Sequence, residues 1–182
     1  MLDDEQIIRG CCKKNKKAQK MLYDKYASVM LGICIRYAQN RAEAEDILQE
    51  GFVKVFLNIK QYMGKGSFEG WMRQIMVNTA LTNYRNNLKH YYHNDVTEIA
   101  ESKIDDVSYD GEFTQEELLQ IINELPEGYR MVFNLYAVEG YKHKEIAEML
   151  DIDESTSKSQ FSRGKKLIQQ KLEVLKKERA HF

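Results

Sequence analysis

Apolar side chains recur at three- and four-residue steps over most of the chain, and they almost never alternate. Leu22, Tyr26, Val29, Met30 and Ile33 form one stripe; Ile47, Leu48, Gly51, Val55 and Ile59 form a second. This spacing gathers apolar groups on one side of a 3.6-residue helix, so each run predicts an amphipathic helix with a buried face. The run Tyr62-Met-Gly-Lys-Gly-Ser-Phe68 breaks the pattern with two glycines, and a third helix is predicted from about Phe68 through Tyr84. Periodicity from about Asp4 to Lys89 thus predicts a compact helical N-terminal domain.

From about Tyr92 to Gly111 the periodicity lapses. Between His93 and Glu112, Asp95, Glu98, Glu101, Asp105, Asp106, Asp110 and Glu112 stand against Lys103 alone. A non-periodic acidic stretch is what a solvated tether looks like. Helices resume at Thr114-x-x-Glu117, a capping-box pattern ahead of Leu118 and Leu119. Pro126-Glu-Gly128 then separates a first helix, ending near Leu125, from a second over Tyr129–Val138. The expected architecture is all-α: a helical domain over 1–91, an acidic flexible linker over 92–112, and a second helical domain over 113–182.

Composition agrees with a globular helical protein. Hydrophobic residues make up 43% and charged residues 30%, with a single Pro. The net charge of −1 hides a polarised chain, and binding depends on where charges sit. From Ser155 to Phe182 there are eight cations, Lys158, Arg163, Lys165, Lys166, Lys171, Lys176, Lys177 and Arg179, against Glu173 and Glu178. Cys11, Cys12 and Cys34 lack C-x-x-C spacing, so free thiols in a reducing compartment are expected. No leader pattern and no spanning apolar run is present, which predicts a cytoplasmic protein without membrane insertion. No Gly-rich phosphate loop after a strand, metal-ligand cluster or nucleophile with a base partner is found. No catalytic residue, metal or cofactor is therefore expected.

The stretch Tyr141–Leu172 carries the most information. His143-Lys-Glu-Ile146-Ala147-Glu-Met-Leu150 reads as a short amphipathic helix. Asp151-Ile152-Asp-Glu-Ser155 reads as a turn with a buried Ile and a capping Ser, and a basic helix follows, which is helix-turn-helix order. In that second helix Ser157, Phe161, Gly164 and Ile168 share one face. Ser155, Thr156, Lys158, Ser159, Gln160, Ser162, Arg163 and Lys166 are left as candidate contacts to duplex DNA. Gln and Arg can read base edges in the major groove, and Ser, Thr and Lys can hold phosphates.

The N-terminal half offers two more constellations. Glu43, Asp46, Gln49 and Glu50 fall on an acidic face opposite the apolar one, suited to docking a basic partner. Lys65 in the glycine turn, then Phe68, Trp71, Arg73, Asn78, Asn83, Tyr84 and Arg85, concentrate aromatic, amide and basic groups of the kind that grip unstacked bases and track phosphates. For Trp71 the apolar stripe favours core packing, and Asn78, Tyr84 and Arg85 are the better contact candidates.

Four blocks, in order, resemble regions 2 and 4 of extracytoplasmic-function sigma factors of the sigma-70 family. They are Ala44-Glu45-Asp46-Ile47-Leu48-Gln49-Glu50 with Phe52-Val53; Phe68-x-x-Trp71 with Val77-Asn78-Thr79-Ala80; Leu125-Pro126-x-x-Tyr129-Arg130 with Glu139-Gly140-Tyr141; and Glu145-Ile146-Ala147 through Lys158-Ser159. The resemblance implies that the first domain docks its acidic helix on core RNA polymerase and captures the melted downstream promoter element. It implies that the second domain reads the upstream promoter element as duplex, and that the linker threads toward the polymerase active-site channel. It also implies restraint by an anti-sigma factor, often a membrane protein with a cytoplasmic domain, and a free monomer. Where the family has Gly in the turn this chain has Asp151, and Ser157 and Gln160 replace an apolar residue and an Arg. Gln74 and Thr82 depart likewise in the first domain. The alternative from the residues alone is an ordinary helix-turn-helix regulator with an N-terminal sensor or dimerisation domain.

Overall fold

The computed structural model describes residues 4–90 and 113–180. They form two separate units, within Met1–Asn87 and Leu88–Phe182, and every regular element among the described residues is helical. The linker expected over 92–112 lies outside the described residues.

The first unit contains α1 (Asp4–Cys12), α2 (Lys16–Tyr37), α3 (Arg41–Asn58) with a 3-10 turn (Ile59–Gln61), and α4 (Phe68–His90). Asn15 and Asn40 start α2 and α3. The Asn15 Oδ1 accepts the amides of Lys17 and Ala18 at 2.9 and 3.1 Å, and that of Asn40 accepts Glu43 N–H at 2.9 Å. The helix α1 is set off from α2 at Lys14, whose φ is 58°. Its Asp4 carboxylate accepts the Tyr26 hydroxyl at 2.9 Å and pairs with Lys25, which lowers the Asp4 pKa.

Both predicted stripes enter the core, with Leu22, Met30, Ile47, Val55 and Ile59 almost fully enclosed. Val29 is the exception at 46% exposed. The buried arc of α2 runs through Tyr26, Met30, Cys34 and Tyr37 and leaves Val29 at its rim. Gly51 is where α3 and α4 meet: a Cβ there would lie 2.2 Å from the Sδ of buried Met76. No side chain larger than hydrogen fits without displacing that methionine.

The second unit contains α5 (Gln115–Asn123), α6 (Glu127–Phe133) running into a π-turn (Asn134–Val138), α7 (His143–Leu150) and α8 (Glu154–Ala180). The Thr114 capping box forms: Glu117 N–H donates to the Thr114 hydroxyl at 3.3 Å, and Thr114 N–H donates to the Glu117 carboxylate at 2.8 Å. Ile121 and Leu125 pack on Ile168 and Leu172, with Tyr129 and Phe133 against them. At Gly164 the backbone comes close to α6, since a Cβ would sit 3.4 Å from that of Tyr129. In the π-turn, Glu139 N–H reaches back five residues to the Asn134 carbonyl at 3.0 Å. Asn134 and Leu135 are wholly buried there, while Tyr136 stays 40% exposed.

The helix-turn-helix forms as expected, with two corrections. Asp151 takes the left-handed conformation (φ 58°, ψ 50°), and the amides of Asp151 and Ile152 both reach the Ala147 carbonyl. Ile152, expected to be buried, is half-buried. Ser155 is not the cap: Ser157 N–H bonds the Asp153 carbonyl at 3.0 Å, α8 starts at Glu154, and Ser155 stands exposed in the first turn. Aspartate caps a helix as well as serine does, so the Asp153-x-Ser155 spelling offered two starts.

Candidate nucleic-acid interface

In the first unit the glycine turn delivers an aromatic cluster to the start of α4. Gly64 and Gly66 both have positive φ (72° and 77°), a geometry glycine adopts without Cβ strain, and Lys65 is exposed between them. The Tyr62 hydroxyl donates to the Gly66 carbonyl at 2.8 Å, closing the turn, and the Ser67 hydroxyl accepts Gly70 N–H at 3.0 Å to start α4. Trp71 stacks on Phe68 with centroids 5.6 Å apart and planes 23° apart, and touches Tyr62 at 5.7 Å.

Burial divides the candidate residues here. Phe68 (6% exposed) and Tyr84 (8%) belong to the core, so Tyr84 is corrected from contact candidate to packing residue. Trp71 is half-buried, packed on Phe68 while keeping part of its ring exposed. Trp71, Asn78 and Arg85 are spaced by seven residues and share one stripe of α4, together with Gln74. Asn78 and Arg85 are exposed along it. Arg73 and Asn83, both half-buried, lie off that stripe. Tyr62 is a ring that sequence reasoning missed; its place just ahead of a glycine turn was the available signal.

On α3 the acidic face is in place. Asp46, Gln49 and Glu50 are exposed, and Glu50 pairs with Lys54 at 2.7 Å. Glu43 is half-buried and committed to capping: its carboxylate accepts Gln39 N–H at 2.7 Å and the Asn87 amide at 3.5 Å. Continuing along the exposed face, Val53 (56%) and Leu57 (76%) add apolar surface. The signal for them was that neither falls on the Ile47–Leu48–Gly51–Val55 stripe.

In the second unit α8 presents two contact stripes. Ser155, Lys158, Ser159, Ser162 and Lys166 lie opposite the core, while Thr156, Gln160 and Arg163 form a flank, each half-buried. Lys158 pairs with Glu154 at 2.6 Å, which holds the Glu154 carboxyl below the usual range. The Ser159 hydroxyl donates back to the Thr156 carbonyl at 3.0 Å. The Nε of Arg163 is enclosed with no acceptor among the described residues, although the residue as a whole is only partly buried. Ser157 is fully buried and paired with His143 Nδ1 at 3.0 Å. His143 in turn stacks on Tyr136 at 4.4 Å.

The buried thiols of the first unit are not poised to react. Burial pushes the Cys11 thiol up to about 11 and the Cys34 thiol to about 12, far from a thiolate at neutral pH. Among the described residues no group of His, Cys, Asp or Glu is placed to hold a metal ion, and no helix is long and apolar enough to cross a membrane. What the two units offer instead is an aromatic, amide and basic stripe in the first and a polar, cationic helix behind a tight turn in the second.

Known proteins carry the same two units in the same order. A family model for sigma-70 region 2 matches residues 22–90, and one for sigma-70 region 4 matches residues 115–168. The chain is 28% identical to an ECF RNA polymerase sigma-E factor of Haemophilus influenzae, covering 96% of this chain and 97% of that one. It is 28% identical to the RNA polymerase sigma-H factor of Pseudomonas aeruginosa over 96% of both. Among solved structures, the sigma factor RpoE of Bartonella quintana, crystallised with the anti-sigma factor NepR, shares the fold at a TM-score of 0.50. It is 19% identical, over 85% of this chain and 96% of that one. With region 2 matched on the unit that carries the aromatic stripe and region 4 on the unit that carries the helix-turn-helix, this chain belongs to the sigma-70 family of RNA polymerase sigma factors, in its extracytoplasmic-function group.

Proposed function

We propose that this chain directs core RNA polymerase to a set of promoters by holding both promoter elements, one with each unit, and that it catalyses no reaction itself. The observation that carries this reading is the pairing, in one chain, of the Trp71–Asn78–Arg85 stripe with the cationic face of α8. Trp71, backed by Phe68, offers a ring face to an unstacked base, while Lys65 in the glycine turn and Arg85 attract the strand's phosphates. On α8, Gln160 and Arg163 are placed to meet base edges, and Lys158, Ser162 and Lys166 to meet phosphates. Asp46, Gln49 and Glu50, extended by exposed Val53 and Leu57, form the polymerase-docking face; a basic and partly apolar partner surface fits it. Glu43 supports this face by accepting Gln39 N–H just ahead of the Asn40 cap of α3.

Binding energy from polymerase and from captured bases opens the promoter, without nucleotide hydrolysis by this chain. The protein works in the cytoplasm, is monomeric when free, and is restrained by an anti-sigma factor. An ordinary helix-turn-helix regulator uses α8 equally well but leaves the Trp71 stripe and the acidic face of α3 without work. Run-off transcription with core polymerase on host promoter fragments tests the proposal. Transcripts that require the protein, and that weaken with salt by about 0.9 in log slope for each phosphate neutralised, are expected. DNA binding without polymerase association or transcripts would favour the ordinary regulator.

A further inference from the structure

Position 157 is an odd place for a hydroxyl. It is 0% exposed and faces inward from the first turns of α8, on the side that Gly164, Ile168 and Leu172 complete with apolar or bare surface. A buried hydroxyl without a partner costs about 1–3 kcal/mol, so its partner matters. That partner is the Nδ1 of His143, 3.0 Å away, on the first residue of α7. The imidazole is itself fixed. Tyr136 of the π-turn stacks on it at 4.4 Å with 13° between planes, and Phe161 of α8 meets it edge-on at 5.8 Å and 63°. One ring therefore joins the π-turn, the first helix of the helix-turn-helix and the start of the second. Ser157 lies between Thr156 and Lys158, within the segment placed on DNA.

We infer that His143 is a positioning residue for promoter reading: its hydrogen bond to Ser157, with the ring clamped by Tyr136, sets the pitch at which α8 presents Thr156, Lys158, Ser159 and Gln160 to the upstream element. The inference rests on the promoter-binding reading above. The ring is held neutral at physiological pH, because partial burial and the neighbouring Lys158 both lower its pKa, with Glu154 opposing them. Lys144 acts in turn on Glu154. The pair also accounts for the serine at 157: its hydroxyl contacts the protein and not the DNA.

The test is a double-mutant cycle in the full-length chain with core polymerase. Transcription from a promoter with its upstream element intact is compared with transcription after that element is scrambled. His143→Phe keeps a ring for Tyr136 but strands the Ser157 hydroxyl, and is expected to lower the intact-to-scrambled ratio about tenfold. His143→Asn, whose amide can take the place of Nδ1, is expected to restore the ratio to within about threefold. Adding Ser157→Ala to His143→Phe removes the stranded hydroxyl and is expected to recover most of the loss, since replacing both partners costs little. Thermal melts confirm that each variant is folded at the assay temperature. An unchanged ratio in His143→Phe, or equal losses in the Phe and Asn variants, would overturn the inference while wild-type activity upholds the functional reading. A wild-type protein that supports no transcription would overturn both.

Discussion

Among the described residues Thr79 is the buried polar side chain in the core of the first unit, whereas the second unit buries Arg130, Asn134 and Ser157. Thr79 donates to the Ile75 carbonyl one helical turn back at 2.8 Å and accepts the Lys54 ammonium of α3 at 3.3 Å. The second unit has more such groups reaching across elements: Arg130 Nη1 donates to the Asn123 carbonyl at 2.9 Å, and Ser157 meets His143. Four helices, two of them more than 20 residues long, give the first unit enough apolar surface to fix its packing by shape, as the Gly51–Met76 fit illustrates. The second unit has three helices of nine residues or fewer laid against α8, and directional bonds set angles that so few apolar contacts leave loose. Shape carries more of the specification in the first unit, and polar pairing more of it in the second.

The largest expected effect breaks or confirms the core assignment within the first unit. Tyr84→Ala should cost about 3–5 kcal/mol of stability, as deletion of a buried aromatic does. Trp71→Ala should cost less, because the ring is only partly buried, yet it should cut promoter opening by about 10- to 100-fold, the equivalent of about 1–3 kcal/mol of lost base stacking. Urea melts combined with permanganate footprinting of the open promoter separate the two. If Tyr84→Ala instead lost opening with stability intact, the stripe would have been assigned to the wrong side of α4.

Why the sequence misjudged Tyr84 is instructive. Phe68, Trp71 and Tyr84 share one helix, and each is compatible with core or contact. What separates them is angle: Trp71 lies on the Asn78–Arg85 stripe, and Tyr84 points away from it toward the interior. The helices themselves were legible because their periodicity is strong, and the Thr114 cap and the Asp151 turn were legible because their chemistry is local. The π-turn was not, since a five-residue hydrogen-bond step leaves no repeat to detect. Neither was the His143–Ser157 pair. Its members are 14 residues apart on different helices, and nothing in spacing distinguishes a serine that faces DNA from one that faces a histidine.

A slightly smaller effect tests whether the two units stand separately. Ile146 is completely enclosed in the second unit, and Ile146→Ala should cost about 2–5 kcal/mol there. Trp71 is the only tryptophan and lies in the first unit, so its fluorescence reports that unit alone. The Ile146→Ala variant should lose part of its helical circular dichroism at lower temperature while the tryptophan transition stays where it was. A shift of both transitions together would mean that the units stabilise one another, and the contrast between their cores would no longer describe independent folding problems.

The smallest expected effect distinguishes the cores by acid. His143 has a folded pKa below its ordinary 6.5, so the folded second unit binds fewer protons there than the unfolded chain does. Its contribution is fully present above about pH 6.5 and is lost as pH falls through the folded value. The carboxylates with lowered pKa, Glu117, Glu124 and Glu154 in this unit and Asp4 in the first, begin to cost stability only below their ordinary values of 4.5 and 3.8. Between those limits His143 is the group with a shifted pKa that titrates among the described residues. Lowering the pH from 7.5 to 5.5 should therefore bring down the melting transition of the second unit and leave that of Trp71 in place. His143→Phe should flatten the difference. Equal movement of both transitions would assign the acid sensitivity to charge in general and leave the imidazole no special part in the polar core.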